Sequence, residues 1–178
     1  MRQNFYSVPV TVMGRKVSVR LGANTVTLFD AAKLLATHDR SPGKGREVLV
    51  LDHYLETLVH KPGALAGASA LVSARASGRF TKAHDEFWEG ARRHLGDAAG
   101  TRALIDVLLL ARTMSATLVT EGLRRAGQIP SYDPAIVAIE ARASLDEQLG
   151  PVVVPDSLTH FERALPSIAH YDSLTSVS

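Results

Sequence analysis

Seven histidines are the first residues in this chain that could do chemistry, because imidazole ligates metals and moves protons near neutral pH. Their spacing argues against a metal centre. His84 and His94 stand ten residues apart, about 15 Å along a helix axis, and His53 and His60 share a face but sit two turns apart. No H-E-x-x-H run occurs. They read as surface or core-edge histidines. Asp85, Glu86 and Glu89 crowd the first half of one helix, where the N-terminal dipole accounts for them. Asp106 lies in an apolar stretch with Arg102 four residues before it, and a lone carboxylate lacks the second group that acid–base chemistry needs. Gly67-Ala68-Ser69-Ala70 matches the G-x-S-x-G elbow of serine hydrolases only loosely and falls in a helical run. Gly43-Lys44-Gly45 lacks the spacing of a phosphate-binding loop. The expectation is a protein that is not an enzyme, with no catalytic residue, metal or cofactor.

Charge says more. Residues 1–47 carry Arg2, Arg15, Lys16, Arg20, Lys33, Arg40, Lys44 and Arg46 against Asp30, Asp39 and Glu47, a net of +5, whereas the remainder carries −3. A basic front end on a mildly acidic body points to a polyanion, most simply nucleic acid, with a solvated strand surface as the equal alternative. Arg2, Arg15, Lys16, Arg20, Arg40, Lys44 and Arg46 are the candidate DNA contacts. Trp88, with Phe80 and Phe87, could stack bases, but helical spacing favours a core or partner-binding anchor. Leu104–Leu123 could be read as a helix-turn-helix through Thr113-Met114-Ser115. Its first helix is too apolar for a surface module, however, and only Arg124 and Arg125 would face phosphate.

The chain has no cysteine, which excludes disulfides and thiolate metal sites and fits a reducing cytoplasm. Its longest apolar run, Ala103–Ala111, is interrupted by Asp106 and falls short of the ~18 residues that a membrane span needs. The N-terminus has no signal-peptide core. A cytoplasmic protein with no membrane partner is expected.

The elements that must position these residues change character along the chain. The first forty residues alternate with period two: Lys16, Ser18 and Arg20 against Val17, Val19 and Leu21, then Thr25, Thr27 and Phe29 against Val26 and Leu28. Met13-Gly14-Arg15 and Gly22-Ala23-Asn24 supply turns. Lys33–Thr37 is a weaker strand, because Ala31-Ala32 is not turn sequence. About four strands result, too few to close a barrel unaided. A Gly- and Pro-rich basic linker, His38–Arg46, follows. From Leu51 the period becomes helical. Leu51, Tyr54, Leu55 and Leu58 form a stripe ended by Lys61-Pro62-Gly63, and Ala64–Ala76 is rich in small residues and closed by Gly78. Thr81, Ser115 and Asp133-Pro134 open further helices. Gly96-Asp97 separates two helices, the second of which carries the most buried segment, Ala103–Leu110. The tail from Pro151 is expected to be extended. The fold class is therefore α+β: a truncated small antiparallel β-barrel with a basic linker (1–47), an all-α helical domain (48–150) and an extended tail (151–178).

Arg2–Pro9 followed by Val12–Leu21 resembles the barrel that follows the catalytic core in IstA-type insertion-sequence transposases, itself similar to that of phage Mu transposase. The resemblance continues through Leu49–Leu55, Lys61–Ala68, Gly78–Trp88, Gly96–Ile105 and Ala169–Leu174. A full-length member would carry a helix-turn-helix and a ribonuclease-H-like core, in which three carboxylates hold two metal ions. This chain starts inside a barrel strand, so the resemblance carries over no catalytic residue. It implies that the basic strands track DNA backbone, and that the helical part and tail mediate self-association, joining of full-length transposase, or contact with a partner ATPase. Tyr171 and Leu174 are the candidate anchors in the tail. The alternative is a helical interaction module that regulates the transposase without touching DNA.

Overall fold

The computed structural model describes residues 4–150, and the fold is mixed α+β. Period-two sequence builds a three-stranded antiparallel meander of β2 (Ser18–Leu21), β3 (Thr25–Asp30) and β4 (Lys33–Asp39), in that order. Cross-strand partners share a face. Val19 and Ala36 therefore flank Leu28, and Leu21 and His38 flank Val26, while Arg20 and Thr37 flank Thr27 on the other side. The register shifts after Leu28, so that Phe29 faces Leu34 and Leu35 is the extra residue of a bulge. Val26, Leu28 and Val12 are buried apart from the helical core.

The expected barrel does not form. β1 (Phe5–Tyr6) leaves the meander and pairs in parallel with β5 (Glu47–Val48), and three short strands cannot curl into closure. The antiparallel expectation holds for β2–β4 and is corrected for β1. Strand β4 extends through Asp39, because His38 and Asp39 pair with Val26 and Thr25 of β3, and the tight turn before it holds Ala31 at a φ of 52°, a left-handed conformation that alanine seldom adopts.

Beyond β5 the chain is helical, and each helix opens or closes on a local signal. A 3-10 turn (Leu51–Tyr54) runs into α1 (Leu55–His60), and a second one (Pro62–Ala64) precedes α2 (Ser69–Ala76), which is shorter than the Ala64–Ala76 helix expected. Thr81 opens α3 (Lys82–Leu95), and Gly96, at φ 86°, hands it over to α4 (Asp97–Leu110). The Ser115 hydroxyl accepts the Leu118 N–H at the start of α5 (Ala116–Ala126), and the Asp133 carboxylate accepts the Ala135 N–H at the start of α6 (Pro134–Leu149). Leu55, Leu71, Leu104, Ile105, Val107 and Val119 lie at the heart of the helical core. Among the described residues, no helix is long and apolar enough to cross a membrane. The expectations for the tail, including Tyr171 and Leu174, lie outside the described residues, as does Arg2.

Candidate nucleic-acid interface

Strand alternation puts Ser18 and Arg20 on the outer face of the meander and Val19 and Leu21 on the inner one. The Arg20 guanidinium lies 5.3 Å from the centre of the Phe29 ring, a cation–π contact that holds the charge over the sheet without neutralising it. Lys16, just before β2, is exposed, and no ion pair reaches it among the described residues. Arg15 is committed differently: its Nη1 sits 2.9 Å from Asp30 Oδ2, bracing the end of β2 against the end of β3.

The other cations gather at the opposite end of the sheet. Arg40 donates to the Gly22 carbonyl at 3.0 Å, and its own backbone N–H bonds Asn24 O, so this arginine braces the β2–β3 turn. Lys44 and Arg46 follow on a loop shaped by one buried side chain. Asn4 donates to the carbonyls of Ser41 and Gly43 at 3.2 and 2.8 Å and accepts the Arg46 N–H at 3.0 Å. The expected linker is therefore a fixed loop, and Lys44 and Arg46 are exposed on it. Lys33 faces Asp30 across the β3–β4 pair and is also exposed. It contributes to the basic balance of the segment but stands outside the candidate contacts, since no sequence spacing distinguishes it. Arg20 and Lys33 thus stand on the sheet itself, Lys16 just before it and Lys44 and Arg46 on the loop after it, with Arg15 and Arg40 acting as braces.

Trp88 takes the core place that its helical spacing allows. It is buried, its indole N–H donates to Thr101 Oγ1 at 2.9 Å, and the Phe80 ring meets it edge-on. The helix-turn-helix reading gains nothing either. α4 lies in the core, Arg124 is held by Glu121, and Arg125 by Glu121 and Glu147.

Three histidines read as surface or core-edge are buried: His38, His53 and His84. Two of them form the joint between sheet and helices. Ser7 Oγ accepts the Val50 N–H at 2.9 Å and shares a hydrogen bond of 2.8 Å with His53 Nδ1. His38 Nε2 lies 2.7 Å from the Ser7 carbonyl, which can only accept, so this nitrogen carries the proton. Burial, then the neighbouring His38, lowers the His53 pKa, partly offset by Asp52. A serine hydroxyl on an imidazole is the start of a nucleophilic pair, but both residues are buried and the hydroxyl already holds the Val50 N–H. What it does here is tie β1 to the first helical turn. Nothing in the sequence signals the contact, because its partners stand 46 residues apart.

Beside the joint, a groove of about 710 Å³ is walled by Leu49, Leu51, Leu55, Phe80 and Leu108. At its rim Arg112, just beyond α4, bonds Asp52 at 2.8 Å and Glu56 at 2.7 Å. The guanidinium holds the Glu56 carboxyl below its ordinary range. These ion pairs clamp the first helical turn to the end of α4, although Glu56 Oε2 is buried without a hydrogen-bond partner among the described residues. Among the described residues, no three His, Asp or Glu side chains gather in a metal-binding group.

This is an α+β chain whose basic charge is presented by a small exposed sheet. Residues 1–50, which include the whole of that sheet, match the family model described as Mu transposase, C-terminal domain. No curated protein and no solved structure matches the chain. The Mu-transposase likeness read from Arg2–Pro9 and Val12–Leu21 therefore holds, while the narrower IstA-type likeness rests on the sequence stretches alone.

Proposed function

We propose that this chain serves DNA transposition as the non-catalytic C-terminal portion of an IstA-type insertion-sequence transposase. In this reading residues 1–47 contact DNA backbone, residues 48–150 form the helical assembly part, and residues 151–178, with Tyr171 and Leu174, reach a partner ATPase or another transposase copy. The observation that carries it is a coincidence of position. The segment similar to the Mu transposase C-terminal domain is the one whose candidate cations are exposed, Arg20 on the meander and Lys16, Lys44 and Arg46 on the turns and loop beside it. Phosphate contacts of this kind position a protein on a duplex without reading its sequence. Arg2, outside the described residues, extends the same basic segment.

Within the candidate set, four cations take no ion pair among the described residues, and two are braces. Lys16, Arg20, Lys44 and Arg46 are the phosphate contacts of the proposal, whereas Arg15 and Arg40 already serve Asp30 and the turn carbonyls. Duplex binding should weaken with salt at a log–log slope of about −3 to −4, one phosphate per contacting cation. Replacing Lys16, Arg20 and Arg46 together by alanine should flatten that slope by about 2 to 3. Fluorescence anisotropy with a short duplex, over a salt series, reads both. A folded chain that fails to bind at low salt, or a triple variant with an unchanged slope, would sink the DNA role.

A further inference from the structure

Helix α6 has one buried face and one exposed face that mixes large apolar with charged side chains. One face, through Val137, Ala138, Ala141 and Ser144, is buried against the bundle. The fit there is close: a Cβ on Gly122 of α5 would stand 2.5 Å from the Val137 carbonyl oxygen. The opposite face carries Ile139, Arg142, Asp146 and Leu149, spaced 3, 4 and 3 residues apart and therefore lying in one row. All four are exposed, Ile139 by 55% and Leu149 by 73%. Arg142 and Asp146 take no ion pair within the described residues, not even with each other across one turn.

The row is self-complementary in one direction only. Laid antiparallel on its own copy, with a twofold axis level with Ser144, Ile139 meets Leu149 of the second copy and Arg142 meets Asp146. By symmetry each pair occurs twice. Laid parallel, Arg142 would meet Arg142 and Asp146 would meet Asp146, and like charges oppose. We propose that the outer face of α6 is a homodimer surface, at which two copies of this chain pair antiparallel through Ile139, Arg142, Asp146 and Leu149. This names the partner for the assembly role proposed above. It is tested without DNA, so that its failure and a failure of the DNA role are told apart. One row on one helix buries less than the ~1,600 Å² of a standard interface, so the pair dissociates in the micromolar range.

Sedimentation velocity over a micromolar concentration series should show a monomer–dimer equilibrium. Arg142→Asp alone, or Asp146→Arg alone, sets like charges opposite twice and should raise the dissociation constant at least about 10-fold. An equimolar mixture of the two variants restores both opposite-charge pairs and should recover dimer, as should the double swap in one chain. Because the chain has no cysteine, introduced thiols report the register directly. Ile139→Cys mixed with Leu149→Cys should crosslink, and Ile139→Cys alone should not. A wild-type chain that stays monomeric throughout the series overturns the proposal. So does a dimer indifferent to the single reversals, or crosslinking of Ile139→Cys with itself. These positions are all exposed, and unchanged far-UV circular dichroism confirms that each variant folds.

Discussion

His84 occupies the third position of α3, where its Nδ1 accepts the Thr81 N–H at 3.2 Å and lies 2.9 Å from the Thr81 hydroxyl. A ring that accepts there must be unprotonated on that nitrogen. Burial reinforces this, against a small opposing pull from Asp85, and lowers the imidazole pKa from 6.5 to about 4. Between pH 6.5 and 4 the unfolded chain takes up a proton that the folded ring does not. Stability is therefore full above pH 6.5 and falls as the pH drops towards 4, by on the order of 3 kcal/mol, before levelling off. His84→Gln keeps an acceptor at the third position and should remove most of that slope in urea titrations across this pH range; His53 and, towards pH 4, the carboxyls of Glu56, Glu121 and Glu147, all lowered, supply the rest. An unchanged slope would mean that the ring is protonated within the fold. The caps at Thr81, Ser115 and Asp133 were legible because both partners lie within one turn. The burial of His84 was not, because the Phe80 ring that tilts over it takes its place only when α2 and α3 close.

The same division between local and distant signals governs the elements. Helix boundaries at Gly96 and Asp133-Pro134 follow from backbone preference and could be read directly. The length of β4 was obscured by Ala31, whose strained turn is held by the hairpin ladder rather than by its own preference. The parallel pair of β1 with β5 joins segments some forty residues apart and leaves no periodic trace. Packing between helices makes a sharper prediction. A Cβ on Gly100 of α4 would stand 2.4 Å from the Ala91 carbonyl carbon and the Arg92 nitrogen of α3. Helix propensity alone would make Gly100→Ala stabilising by about 1 kcal/mol. The clash is with backbone, which cannot rotate away, so the substitution should instead cost about 1–3 kcal/mol. The midpoint of chemical denaturation decides between the two, and a rise would show that α3 and α4 separate freely.

At the scale of the whole molecule, sheet and helices are coupled through few groups. Ser7→Ala strips the Val50 N–H and the His53 ring of a buried partner, at a cost of about 1–3 kcal/mol. Amide exchange should quicken in β2, β3 and β4 while α3 and α4 keep their protection. Equal quickening in both would mean that sheet and helices unfold as one unit. The α+β class and the basic front end were legible from periodicity and composition, but the joint was not, since it depends on three-dimensional closure. That closure also sets a line of force. The backbone bonds from Phe5 N to Arg46 O and from Ser7 N to Val48 O clip the chain together on either side of the meander. Tension applied between residue 4 and the helical body is carried chiefly by this clip, loading the parallel pair in shear, while the meander between its two arms is shielded from the pull. The basic sheet keeps its shape until the clip gives way, and its own ladders then take the load.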